Sequence, residues 1–173
     1  MAVGRATVRK ARCGRVDGFT LIELTITVAI AAILATIAVP SFTEATLHSK
    51  LNSLANGFVS SAHLARSEAI KRNSQVTLCA SSDSTSCTGA WKDGWVVLAG
   101  GAVIHSQGPF PVGFQLSGNV TSVSFEPTGV GATAADLTLC RAAPTVGAHQ
   151  RTIKLSATGR PTVEKVSGAT TCP

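Results

Sequence analysis

Between Leu24 and Thr43 no position is charged, a run of 20 residues. As an α-helix it spans about 30 Å, the thickness of a bilayer hydrocarbon core. Beyond it the apolar positions take up a helical period: Leu47, Leu51, Leu54, Phe58, Ala62, Ala65 and Ala69 recur at steps of three and four. His48, Lys50, Asn52 and Arg66 fill the other face, so this half predicts an amphipathic helix laid on a folded domain. Pro40 would break a helix in water, but a kinked continuation is tolerated near a membrane interface. Lys71 and Arg72 suit the negative end of a helix dipole and Asn73 accepts a left-handed terminal conformation. One long helix from about Phe19 to Arg72 follows.

After residue 73 the alternation becomes that of strands. Twelve of the sixteen glycines and six of the seven prolines lie there, separating β-branched runs. Short strands are predicted at 75–80, 94–99, 102–106, 113–117, 120–126, 136–141, 150–156 and 161–166. The segments FEPTGVG and LSATGRP read as strand ends running into glycine turns. No low-complexity linker separates helix from strands, so the two are expected to share one core. The fold class is α+β, a long N-terminal helix packed on an antiparallel β-sheet domain.

One carboxylate, Glu23, stands at the entrance of the apolar run. A charge at the centre of a membrane helix costs about 2.5–3.5 kcal/mol on insertion scales. Glu23 lies near the interface, where the cost falls, yet an ionisable group in such a segment is by default a functional one. A cleaved secretory signal has a shorter apolar region of roughly 7–15 residues and ends in a small-residue cleavage site, neither of which is found here.

Composition sharpens this picture in three ways. The 173 residues are 45% hydrophobic, enough for a core and incompatible with wholesale disorder. Of the formal charge of +6, most belongs to residues 1–18, where Arg5, Arg9, Lys10, Arg12 and Arg15 face only Asp17. The high isoelectric point thus describes the N-terminal arm and is poor support for nucleic-acid binding. The positive-inside rule keeps that arm in the cytoplasm and sends Cys79, Cys87, Cys140 and Cys172 to an oxidising compartment, with Cys13 left behind.

Four cysteines allow three pairings. Cys79 with Cys87 and Cys140 with Cys172 are preferred, because the first closes a polar Ser/Thr/Asp loop and the second pins the chain end to a strand. Zinc is the rival reading. It is disfavoured because no close C-x-x-C pair exists and His48 and His63 fall on the helix. Trp91 and Trp95 flank the turn signal Lys92-Asp93-Gly94, and packing of at least one onto the sheet is expected over a ligand role. No nucleophile elbow, phosphate loop or metal-spaced His/Glu motif occurs, so neither a catalytic residue nor a cofactor is expected and the chain does not read as an enzyme.

The stretch from Gly18 to Pro40, GFTLIELTITVAIAAILATIAVP, resembles the N-terminal signature of type IV pilins and type II secretion pseudopilins. That resemblance implies cleavage between Gly18 and Phe19 by prepilin peptidase and N-methylation of Phe19. Glu23 then becomes the fifth mature residue, whose carboxylate meets the terminal amine of a neighbouring subunit in a filament. The implied division is a cleaved leader at 1–18, a transmembrane and filament-core helix at 19–42, its amphipathic continuation at 43–72 and a β-rich domain at 73–173.

The C-terminal half, with VTLCASSDSTSCTGAWKDGWVVL, LTLCRA and IKLSATGRPTV, is similar to the GspH/FimT group of minor pilins and pseudopilins. The partners implied are prepilin peptidase, other minor and major pilins or pseudopilins, and an inner-membrane assembly platform. The location is the inner membrane, with the β domain periplasmic, and then a filament, at or near its tip. In FimT-type members a Gly-Arg-x-Arg motif is associated with DNA capture. Here Gly159 and Arg160 are present but Thr162 replaces the second arginine, which weighs against DNA uptake. Arg151, Lys154, Arg160 and Lys165 are the residues such a role would use. With Arg141 they read first as a solvated basic edge.

Overall fold

The computed structural model describes residues 18–130, 132–143, 149–169 and 171–173. Most of the basic leader, including Cys13, lies outside them. A single helix, α1, runs Leu21–Arg72, and eight strands follow: β1 (Val76–Ala80), β2 (Trp95–Ala99), β3 (Ala102–Gln107), β4 (Phe114–Gly118), β5 (Ser122–Phe125), β6 (Ala135–Arg141), β7 (His149–Leu155) and β8 (Pro161–Ser167). The chain divides into two units, the first ending at Thr43 and the second running Glu44–Pro173.

In the first unit the helix starts at Leu21 rather than Phe19 because Thr20 caps it. The Glu23 N–H donates to Thr20 Oγ1 at 3.3 Å, and the Leu24 N–H donates to the Thr20 carbonyl at 3.1 Å. The apolar side chains that follow, from Leu21 to Phe42, are exposed throughout. Its threonine hydroxyls are satisfied within the helix: Thr25, Thr27 and Thr36 each donate to the carbonyl three residues back, and Thr43 to the one four back. A segment that hides its own polar groups and exposes its apolar ones suits lipid or other apolar helices.

The second unit is built on the other half of α1. Its buried positions are Leu51, Ala55, Phe58, Ser61, Ala62, Ala65 and Ala69, while Leu47 and Leu54 are only half-buried at the margin. The alanines keep this face low, so the sheets approach closely. The helix ends in a Schellman motif, with Asn73 at φ 47°, its N–H on the Ile70 carbonyl and the Ser74 N–H on the Ala69 carbonyl. Arg72 and Lys71 both donate to Glu68, at 2.7 and 3.0 Å, and hold its carboxyl below the usual range.

The strands form two antiparallel sheets, A in the order β3-β2-β1-β5 and B in the order β4-β6-β7-β8. In both, alternate residues enter the core: Val76, Leu78 and Ala80 of β1, Trp95, Val97 and Ala99 of β2, Leu137 and Leu139 of β6, Ile153 and Leu155 of β7. Phe58 is the hub. It is fully buried and meets the edges of Trp91 and Trp95 at ring separations of 5.5 Å each. The Trp95 indole donates to Ser61 Oγ at 2.9 Å, so both tryptophans are core residues. Between them Trp91–Asp93 forms a 3₁₀ turn that ends at Gly94, φ 121°. There a Cβ would sit 2.3 Å from the Gln107 carbonyl oxygen, so only glycine fits.

Candidate functional site

Glu23 occupies the third position after the Thr20 cap, in the first turn of α1. A carboxylate there faces the positive end of the helix dipole. The pattern Thr20-x-x-Glu23 is a capping-box signature that a reading of the charge alone overlooks. Gly18 and Phe19 precede the helix and are exposed.

Further along α1 two arginines of sheet B are drawn onto the helix. Arg141 of β6 donates from both terminal nitrogens to Glu44 Oε1 at 3.1 Å, and its Nε has no hydrogen-bond partner among the described residues. Arg151 of β7 is 4% exposed. It donates from Nε to Asn52 Oδ1 at 2.8 Å, to the Gln150 carbonyl at 2.9 Å and to His48 Nε2 at 2.9 Å. None of the ion pairs among the described residues includes it.

The expectation of a solvated basic edge therefore fails for Arg141 and Arg151. Arg141 continues the inward set Leu137 and Leu139, and Arg151 shares its face with Ile153 and Leu155. His48 and Asn52, expected on the solvated face, are half-buried because they serve Arg151. Of the other residues proposed for nucleic acid, Lys154 pairs with Glu164 at 2.7 Å, and that hydrogen bond raises its pKa. Arg160 and Lys165 are exposed and make no ion pair among the described residues. The described surface thus offers less basic character than the residue count suggests.

The cysteines lie as the preferred pairing requires, with Cα atoms 5.4 Å apart for Cys79–Cys87 and 5.7 Å apart for Cys140–Cys172, each pair disulfide-bonded. The short loop is organised by Asp83. Its carboxylate accepts from the Ser86 hydroxyl, the Thr85 and Ser86 N–H groups and the Ser81 hydroxyl, which together hold its pKa far below the ordinary value. The long loop is tied by the Gln150 amide, which donates to the Thr171 carbonyl, beside Cys172. Among the described residues no group of three or more His, Cys, Asp or Glu could hold a metal.

His48 makes the helix–sheet contact sensitive to acid. To accept from Arg151 its Nε2 must be unprotonated, and it also stands edge-on to His149 at 5.1 Å. Burial first, then the charges of Arg151, His149 and Lys165, lower its pKa below 6.5. A base whose folded pKa is depressed takes up more protons when unfolded, so stability is full above 6.5 and falls as pH drops below it. The unfolding midpoint of the chain should therefore decline from pH 7.5 to pH 5.5, and His48→Gln should flatten that decline. Equal slopes for the two proteins would contradict the assignment.

A capped helix with an uncovered apolar half, carried on a disulfide-stapled antiparallel β domain, defines a pilin-type subunit. Two family models match: Type II transport protein GspH over residues 54–159, and the prokaryotic N-terminal methylation motif over residues 14–39. The first spans more than half of the chain, and the chain belongs to the GspH family. It is a minor pilin or pseudopilin component.

Among solved structures, the type IV minor pilin FimU of Pseudomonas aeruginosa strain PAO1 is similar in two crystal forms. One has a TM-score of 0.52 at 22% identity over 66% of this chain and 92% of that one. The other has 0.55 at 22% identity over 69% and 91%. These show a shared fold. The minor pseudopilin EpsH from the Type 2 Secretion System of Vibrio cholerae is similar at TM-score 0.48 and 13% identity, over 68% and 97% of the two chains. No curated protein sequence matches significantly.

Proposed function

We propose that this chain is a membrane-anchored precursor cut between Gly18 and Phe19 by prepilin peptidase, methylated at Phe19 and drawn into a periplasmic filament. The observation that supports the reading is the methylation motif at residues 14–39, which contains Gly18, Phe19 and Glu23, the last being the fifth residue after the proposed cut. Residues 1–18 are the leader, 19–42 the anchor and filament-core helix, 43–72 its amphipathic continuation and 73–173 the β-rich domain. The basic leader orients the N-terminus to the cytoplasm and the β domain to the periplasm. Other pilins or pseudopilins and an inner-membrane platform are the partners, and the subunit works mechanically at or near the filament tip. Type II secretion is the service suggested by the family's description, and a type IV pilus by the likeness to FimU.

In this scheme Glu23 changes partners. In the precursor the helix dipole stabilises it; after cleavage the new α-amino group of a neighbour supplies a counter-charge among packed apolar helices. Glu23→Ala should leave the amount of chain in the membrane unchanged. It should lower recovery in sheared filaments at least about tenfold, as expected for losing one partner of a buried pair. Mass spectrometry of the wild-type mature chain should give methylated Phe19 as its first residue. Another N-terminus, or equal filament recovery for the variant, would overturn the reading.

A further inference from the structure

The two ends of the second unit differ in charge. α1 enters it at Glu44 and ends at Arg72, about 40 Å further on by the rise of a helix. The far end is charged: Glu68 pairs there with Lys71 and Arg72, and Gln75 donates to Glu126 at 2.8 Å. The near end holds the turn Pro111–Phe114. Phe114 lines one recess with Glu44 and Leu47, and it stands opposite Arg141, the ion-pair partner of Glu44. From Gly108 to Phe114, and at Ala142 and Ala143, no residue is charged.

Val112 occupies the corner of this turn and is 100% exposed, more than any other large apolar side chain among the described residues. The Phe114 N–H donates to the Pro111 carbonyl at 3.1 Å and Gly113 has φ 91°, the arrangement of a type II turn. That geometry calls for glycine at Gly113 but for no apolar residue at the corner. The turn is also fixed. On one side Phe110 packs on Trp95 at a ring separation of 5.6 Å, and its N–H donates to the Lys92 carbonyl at 3.2 Å. On the other the Ala142 N–H donates to the Gly113 carbonyl at 2.8 Å. Val112 is thus held outward, with Pro109 and Ala143 exposed as well. Single exposed apolar residues are ordinary on a protein surface, and what distinguishes this one is the end of the domain on which it stands.

We propose that in the precursor the Glu44 end of the β domain rests on the bilayer surface, with Val112 set among the lipid headgroups. The proposal rests on the membrane-anchored reading above. Glu44 follows Thr43 directly, so the chain ties this end, and not the charged one, to the apolar half of α1. A bilayer is therefore the surface that the anchor itself brings to Val112, before any second subunit is met. Because Phe110 and Gly113 already hold the corner, little ordering cost opposes its burial. Extraction into a filament has to break this contact.

The test uses the full-length precursor in vesicles of phosphatidylethanolamine and phosphatidylglycerol, with a photo-crosslinking side chain placed in turn at Val112, Val130 and Ile37. Val130 is half-exposed at the far end, next to Gly129, where a Cβ would meet Ile70. Ile37 lies in the apolar half of α1. Lipid adducts are expected at Ile37 and Val112 and not at Val130. Val112→Glu should leave the unfolding midpoint in detergent unchanged, because a fully exposed side chain supports no packing. It should cut lipid labelling from a probe at Ala143 about tenfold, the ratio for withdrawing one apolar side chain of that size. Protein adducts alone or no adduct at Val112, equal lipid labelling at Val112 and Val130, or undiminished labelling at Ala143 in the variant would overturn the surface contact and leave the anchor standing. No lipid adduct at Ile37 would overturn the anchor reading and the proposal with it.

Discussion

Phe58→Ala is expected to lower the unfolding free energy of the β domain by about 3–5 kcal/mol, the usual loss for a large aromatic removed from a core. Phe58 has no exposed surface and touches both indole edges, at interplanar angles of 76° with Trp91 and 69° with Trp95. Each such aromatic pair adds about 0.5–1.5 kcal/mol beyond area burial. The residue also joins the helix to sheet A, so the cavity left behind cannot collapse without moving α1. Against a typical total of about 5–15 kcal/mol, the change should leave the variant near its folding threshold. Urea unfolding of the detergent-solubilised chain, followed by tryptophan fluorescence, reads this directly because the two tryptophans are the reporters. A loss below about 1.5 kcal/mol, the range of a tolerated volume-conserving swap, would show that Phe58 is not the hub of the core.

Replacing both Cys140 and Cys172 by serine is the second large effect. Their bond closes a loop of 32 residues, and chain entropy assigns about 3.5–4 kcal/mol to a closure of that length, against about 2.5 kcal/mol for the 8-residue closure of Cys79–Cys87. The two bonds also differ in what remains after removal. Asp83 still gathers Ser81, Thr85 and Ser86 in the short loop, whereas the chain end keeps chiefly the hydrogen bond from Gln150 to the Thr171 carbonyl. The Cys140→Ser/Cys172→Ser variant should therefore be the less stable of the two double variants and show fast amide exchange from Gly168 onward. The opposite order of stability would mean that the reduced state retains the long-range contact without the bond.

How much of this was legible beforehand depends on the range of the interaction responsible. Helical period, the basic last turn and Asn73 located the end of α1, because a helix terminus is decided by a few adjacent backbone groups. The eight strands fell close to their observed limits for the same reason, since alternation and glycine turns are local signals. Thr20 as the cap is also legible, from Thr-x-x-Glu, a signal that the charge of Glu23 alone does not carry. Arg141 and Arg151 carried a signal too. Each shares the parity of two inward aliphatic residues on its strand, and counting alternation before charge would have placed both on the core face.

What lay outside reach was pairing between distant segments. That β5 joins β1 rather than its neighbour β4, which splits eight strands into two sheets of four, depends on contacts across 47 residues, such as Thr77 with Ser124. The sequence by itself determined the apolar helix, its cap, the spacing of the strands and the N-terminal methylation motif, because each is written in residues close together along the chain or in a strict period of two. Tertiary structure alone decided that Arg151 would be satisfied by Asn52 and His48 and that β3 would stand at an edge of sheet A, its register shifted against β2 between Val97 and Leu98. Burial and edge exposure are properties of what packs against a residue, and that is settled only when remote segments meet.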